Sequence, residues 1–203
     1  MVPARPPWPL RALMPGVLWR MPPHERVLYL TFDDGPDPQL TPWVLDQLAT
    51  AGAHATFFCR GDRARARPDL VERLSAEGHA VGGHTWDHPD GWRTPLRPYL
   101  RNVLRGQREV GGTLFRPPYG HLTAAQLAAL KGRFRVVMWV VLSRDYDPRC
   151  SAQQCLDRTL KHARPGSIIV FHDVPKAADR LTGLLPQALA RWSSDGYRFA
   201  SLA

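Results

Sequence analysis

The 203-residue chain is 44% hydrophobic and 22% charged, which suits a single soluble domain with a sizeable core and excludes a disordered chain. Its net charge of +9 comes from 24 arginines and 3 lysines against 18 acids, so anionic surfaces attract it. The excess is spread along the chain. Its one dense run, RGDRARARP (60–68), lacks the interleaved aromatics of a single-strand nucleic-acid platform; it reads as a solvated loop, and no nucleic-acid partner is expected. Cys59, Cys150 and Cys155 show no C-x-x-C spacing, imply no disulfide framework and fit a reducing compartment.

The first 25 residues, MVPARPPWPLRALMPGVLWRMPPHE, form an N-terminal arm. Pro9, Arg11, Pro15 and Gly16 interrupt every apolar run that a secretory signal would need, and no stretch of the chain would span a bilayer. A cytoplasmic location, with contact to the inner leaflet as the membrane option, is therefore the expectation. Trp8, Leu10, Leu13, Met14, Val17, Leu18 and Trp19 among Arg5, Arg11 and Arg20 have the composition of a weak peripheral membrane contact. The prolines oppose a long amphipathic helix and favour packing of these side chains over one end of the domain.

Residues 26–203 alternate between strand and helix patterns. Strand-like runs fall at 27–32, 54–59, 79–83, 113–115, 134–141, 167–171 and 197–202, with helical patterns at 41–51, 68–77, 95–110, 123–130, 151–163 and 178–194. Pro68 starts a helix and Gly52, Gly78 and Gly196 close others. Seven such units predict an α/β fold, a distorted (β/α)7 TIM-like barrel in one domain. An open doubly wound sheet is the alternative, but no G-x-G-x-x-G or P-loop motif supports a nucleotide fold.

The first strand ends in YLTFDDGPDP (29–38). Asp33 and Asp34 would face opposite sides if the strand continued, but Gly35 and Pro36 turn the chain, so both carboxylates can converge. Carboxylates so close raise one another's pKa unless a cation offsets them, which suggests a metal. The plainer alternative is a surface turn whose acids cap the next helix.

The other polar clusters support the metal. HTWDH (84–88), RPPYG (116–120), SRDYD (143–147) and HD (172–173) follow the third, fourth, fifth and sixth strands, and all land on the C-terminal face where parallel barrels hold their sites. His84 and His88 are one helical turn apart and would share a side; with Asp34 they supply two nitrogens and one oxygen, a catalytic zinc arrangement with a position left for water. Non-haem iron uses a similar triad.

LTFDDGP, HTWDH, RPPYG and IIVFHD, in this order and at these strand ends, resemble the motifs of the polysaccharide deacetylases, the chitooligosaccharide deacetylase homology domain of carbohydrate esterase family four, over about residues 26–203. The resemblance implies that Asp34, His84 and His88 hold a divalent metal, zinc first among the candidates. It implies Asp33 as general base, His172 as general acid toward the departing amine and Arg116 as the partner of Asp33. The backbone N–H of Tyr119 would hold the oxyanion. Pro118, Trp92, Trp139 and Val170 are candidate substrate-binding residues, Val170 in an apolar acetyl pocket. The family usually has an acid soon after the tryptophan of the fifth strand, whereas Trp139 is followed by Val140, Val141 and Leu142; Asp145 remains, expected to tune Arg116 or His172. The implied substrate is an N-acetylated carbohydrate or glycoconjugate, with short loops favouring a small one. A metal-dependent amidohydrolase of a non-sugar amide, imide or ureide and a catalytically silent glycan-binding protein are the rival readings.

Overall fold

The computed structural model describes residues 14–202. The strands are β1 (Val27–Asp33), β2 (Thr56–Cys59), β3 (Ala80–Gly83), β4 (Leu114–Phe115), β5 (Arg135–Val136), β6 (Val141–Leu142), β7 (Ile168–His172) and β8 (Arg198–Phe199). The helices are α1 (Leu40–Thr50), α2 (Gly61–Ala66), α3 (Pro68–Ala76), α4 (Leu96–Val110), α5 (Ala124–Leu130), α6 (Ala152–His162) and α7 (Ala178–Ser194). Parallel pairing in the order β5-β4-β3-β2-β1-β7-β6, with β8 beside the start of β1, makes the distorted (β/α)7 TIM-like barrel in one domain.

Strand alternation sorts the core. Leu28, Leu30 and Phe32 of β1 join the outer cluster with Leu181, Leu184 and Leu185 of α7, while Tyr29 packs with the inner cluster of Phe58, Leu114, Val137, Ile168 and Leu202. Phe32 stacks on Phe57 (5.0 Å) and Phe171 (5.6 Å), fixing β1 between its neighbours; truncating such a buried ring costs about 3–5 kcal/mol. The helices α5 and α6 start with capping boxes, Thr123 with Gln126 and Ser151 with Gln154.

Two expectations need correction. The predicted strand at 134–141 divides into β5 and β6, because Arg116 draws the carbonyls of Val137 (3.4 Å) and Met138 (3.0 Å) out of the ladder. Leu18 takes adjacent ladder positions, accepting from Met138 N (2.8 Å) and donating to Val136 O (2.9 Å). The basic run at 60–68 is not a loop: Gly61–Ala66 is the helix α2. It was hidden because only Gly61 and Ala64 of it are buried, so it shows no apolar period. A Cβ at Gly61 would lie 2.5 Å from Gly106 Cα, which is why glycine lets α2 cross α4 so closely.

Of the N-terminal arm, residues 1–13 lie outside the described residues, including Trp8, Leu10 and Leu13. The described part pairs with the barrel wall: Leu18 bridges Val137 just after β5, Arg20 bridges Ser167 just before β7, and Trp19 is buried in the outer cluster. No helix among the described residues is long and apolar enough to cross a membrane.

Candidate active site

The loops leaving the C-terminal ends of β1, β3, β4, β6 and β7 surround one cavity of about 320 Å³. Backbone strain concentrates in these loops. The non-glycine residues with positive φ among the described residues are Asp34 (75°), Thr85 (66°), His88 (68°), Tyr119 (60°) and Arg144 (68°), and each follows one of these strands. Such residues cost about 1–3 kcal/mol apiece and persist where a site needs them.

This strain sets the geometry of the Asp33–Asp34 pair. Asp33 ends β1 in register with Phe58 and His172, and the positive φ that separates the two carboxylates belongs to Asp34, not to Gly35. Gly35 is needed for room: a Cβ there would sit 2.2 Å from Asp173 Oδ2. Helix capping falls to neither acid of the pair. Asp37 accepts the N–H groups of Gln39 (3.0 Å) and Leu40 (2.9 Å) at the start of α1.

Asp33 faces Arg116, which is wholly buried at the end of β4. Its Nη1 donates to Asp33 Oδ1 (2.7 Å) and Thr31 Oγ1 (2.6 Å). With the carbonyls of Val137 and Met138 as further acceptors, and the Phe58 ring 4.2 Å from its Cζ, the guanidinium is held in one orientation. Burial lowers the pKa of Arg116, and Asp33 opposes that shift.

Asp34, His84 and His88 place one ligand atom each within 4.8 Å of one another. The imidazoles do not share a helix face; they converge from an irregular loop bent by the positive φ of Thr85 and His88. His84 Nδ1 meets the carbonyl of Arg116 (2.7 Å), which orients Nε2 toward Asp34 Oδ1 (3.5 Å); His88 Nε2 is 3.0 Å from the same oxygen. Asp34 Oδ1 is buried and accepts no aligned hydrogen bond. A buried, unsatisfied oxygen facing two imidazole nitrogens is what a bound cation would complete, so the residues present fit a divalent metal. Burial alone would raise the Asp34 carboxyl, but the imidazoles of His84, His88 and, further off, His172 hold it well below the usual carboxylate range. Burial lowers the pKa of His88 despite Asp34, favouring the neutral, ligating form.

Across the cavity, His172 Nδ1 donates to Asp145 Oδ1 (2.8 Å), and Ser143 Oγ donates to the same oxygen (2.9 Å). Asp145 therefore serves His172, and Arg116 is left to Asp33. Tyr119, Trp139 and Val170 line the cavity, as does Leu142, one of the apolar residues where an acid was expected. Pro118 and Trp92 do not line it. Pro118 is buried beneath the loop, with Pro117 forming the wall, and Trp92 stacks outside on His121 (3.5 Å, 9°). Sequence reasoning missed Lys176, whose Nζ donates to Asp34 Oδ2 (2.8 Å), and Tyr146, which packs edge-on against His172 (4.9 Å). Tyr146 sits within SRDYD and Lys176 four residues after His172, so their places beside the motifs were the available signal.

The profile of the polysaccharide deacetylase family matches residues 20–132, more than half of the chain. The chain belongs to that family. A peptidoglycan-N-acetylglucosamine deacetylase of Bacillus cereus is 32% identical over 197 residues, covering 92% of this chain and 91% of that one. A chitooligosaccharide deacetylase of Sinorhizobium fredii is 41% identical over 158 residues, 72% of this chain and 71% of its own. The crystal structure of the Bc1960 peptidoglycan N-acetylglucosamine deacetylase, in complex with 4-naphthalen-1-yl-N-oxidanyl-benzamide, superposes with a TM-score of 0.86 at 31% identity, covering 97% of this chain and 94% of that one. Other curated relatives are longer, and the chain spans 37% and 39% of two of them. This member of the polysaccharide deacetylase family is thus a deacetylase-like hydrolase of carbon–nitrogen bonds other than peptide bonds.

Proposed function

We propose that this chain removes the acetyl group from the nitrogen of an N-acetylated sugar within an oligosaccharide or glycoconjugate, with Asp33 as general base and His172 as general acid. The observation that carries the reading is the opposition of two differently supported groups over one cavity: a carboxylate fixed by a buried guanidinium, and an imidazole fixed by a buried carboxylate. Asp34, His84 and His88 would hold a divalent metal, zinc first, which when bound polarises the amide carbonyl and lowers the pKa of water from about 15.7 towards 7.

Asp33, oriented by Arg116, takes a proton from the attacking water as its oxygen bonds to the acetyl carbon. The backbone N–H of Tyr119 would donate to the oxygen that becomes negative. His172 then gives its Nε2 proton to the sugar nitrogen as the C–N bond breaks, leaving acetate and a free amine. This proton is essential because an unprotonated amide nitrogen is a poor leaving group. Trp139, Leu142 and Val170 form an apolar wall suited to the acetyl methyl. The names of the two relatives, one acting on peptidoglycan and one on chitooligosaccharides, support an N-acetylated amino sugar as substrate.

The test is acetate release from a panel of N-acetylated sugars by metal-stripped protein, zinc-restored protein and zinc-restored Asp33→Asn. Release that requires both zinc and Asp33 is expected. Turnover of non-sugar amides alone would transfer the reading to an amidohydrolase, and tight sugar binding without turnover would make the protein a binder.

A further inference from the structure

Among the described residues the exposed large apolar side chains are Trp92 (61%), Tyr119 (59%) and Leu96 (38%), on the connections after β3 and β4 and at the start of α4. Tyr119 lines the cavity, Trp92 stacks on the cavity residue His121, and Leu96 opens α4 four residues later. The stretch WRTPLRP (92–98) is exposed throughout except for half-buried Thr94. It holds Arg93 and Arg97 and no acid, and Arg101 lies one turn further along the exposed face of α4. Of the acids just before it in sequence, Asp90 bonds to His121 (3.0 Å) and Trp92 N (2.9 Å) while also sensing the charge of Arg93, and Asp87 bonds to Asn102 (2.7 Å). Arg93, Arg97 and Arg101 form no ion pair among the described residues.

An exposed tryptophan whose ring N–H is already satisfied by Leu122 O (3.2 Å), an exposed leucine and three exposed arginines without an ion pair match the interface of an anionic bilayer. Aromatic rings settle at headgroup level there, and guanidinium groups fork onto phosphates. An acidic polysaccharide would use the arginines and the aromatic faces, but it would leave Leu96, Pro95 and Pro98 without a purpose. We propose that Trp92–Pro98, together with Arg101, docks this protein on an anionic lipid surface, with the cavity mouth held at the headgroups. Combined with the deacetylase reading, on which this consequence rests, the substrate is a glycan carried on a membrane anchor.

Docking is measured without substrate, by co-flotation of the protein with vesicles of phosphatidylcholine alone or mixed with phosphatidylglycerol, so its failure is separate from any failure of deacetylation. Binding to the mixed vesicles is expected. Arg93→Gln/Arg97→Gln/Arg101→Gln should weaken it about fivefold per arginine, on the order of 100-fold together. Trp92→Ala/Leu96→Ala should remove the binding that survives in high salt, where charge attraction is screened. The control Lys131→Gln/Arg133→Gln/Lys161→Gln removes equal charge from the α5–β5 connection and the last turn of α6, at the opposite end of the barrel, and should bind nearly as wild type. Melting curves establish that each variant is folded. Equal binding to both vesicle types, or equal loss in the control, would overturn the proposal. So would displacement of the vesicles by an equal charge of soluble polygalacturonate, which would give the surface to an acidic glycan.

Discussion

His172 and Asp145 are joined twice: the imidazole Nδ1 donates to Oδ1 and the His172 backbone N–H donates to Oδ2, each at 2.8 Å. Burial alone would lower the imidazole pKa, but the Asp145 carboxylate overrides it and raises it. A general acid with a raised pKa works below that pKa, and activity is lost as pH rises through it. Asp145→Asn should therefore move the alkaline limb of kcat/KM to lower pH, and His172→Ala should lower kcat about 10²–10⁴-fold. Comparing pH–rate profiles checks this; an alkaline limb that stays in place would remove His172 from the acid role.

Arg116 ties Asp33 and Thr31 of β1 to the β5–β6 connection. Replacing it with Met leaves the Asp33 carboxylate buried without its countercharge, a change that typically costs about 3–5 kcal/mol. Arg116→Lys should recover little, because a point charge does not match acceptors on β1 and on the β5–β6 connection together. Urea midpoints of the two variants measure the loss. A lysine variant as stable as wild type would show that the planar fork is dispensable.

Metal removal has a readout separate from turnover. A divalent cation bound by Asp34, His84 and His88 stabilises the folded chain by mass action, about 2.7 kcal/mol at a hundredfold excess over Kd. Chelation should lower the Tm, zinc should restore it, and His84→Ala should abolish the response. Unchanged melting on chelation and on zinc addition would count against a metal at this position.

Asp173 lies behind the Asp33–Asp34 turn, where Thr41 Oγ1 donates to its Oδ2 at 2.5 Å. Burial pushes its carboxyl up to about 7. A carboxyl raised on folding favours the folded state below its unfolded pKa, and that contribution is lost as pH rises toward the folded one. In chelated protein, wild-type stability should thus fall between about pH 4 and 7 relative to Asp173→Asn, which cannot ionise. Gly35→Ala, whose methyl would overlap Asp173, should cost about 1–3 kcal/mol at any pH. Denaturant titrations across pH test both.

Much of the site was legible because its determinants are local. Strand alternation, Gly-Pro breaks and motif clusters after successive strands are properties of short segments, and the parallel barrel then requires those clusters to share one face. This placed Asp33, Asp34, His84, His88, Arg116 and His172 around one centre, and the geometry brings them there. What stayed hidden depends on contacts between distant segments. The break between β5 and β6 arises because Arg116 and Leu18, far away in sequence, take its hydrogen-bonding groups. The helix α2 exists through its close crossing with α4, which no apolar period announces. The choice of Asp145 between His172 and Arg116, the exclusion of Trp92 from the cavity, and the entry of Lys176 beside Asp34 are likewise decided by how loops from different strands pack. Sequence specifies which groups reach the end of each strand; only the assembled barrel determines which of them touch.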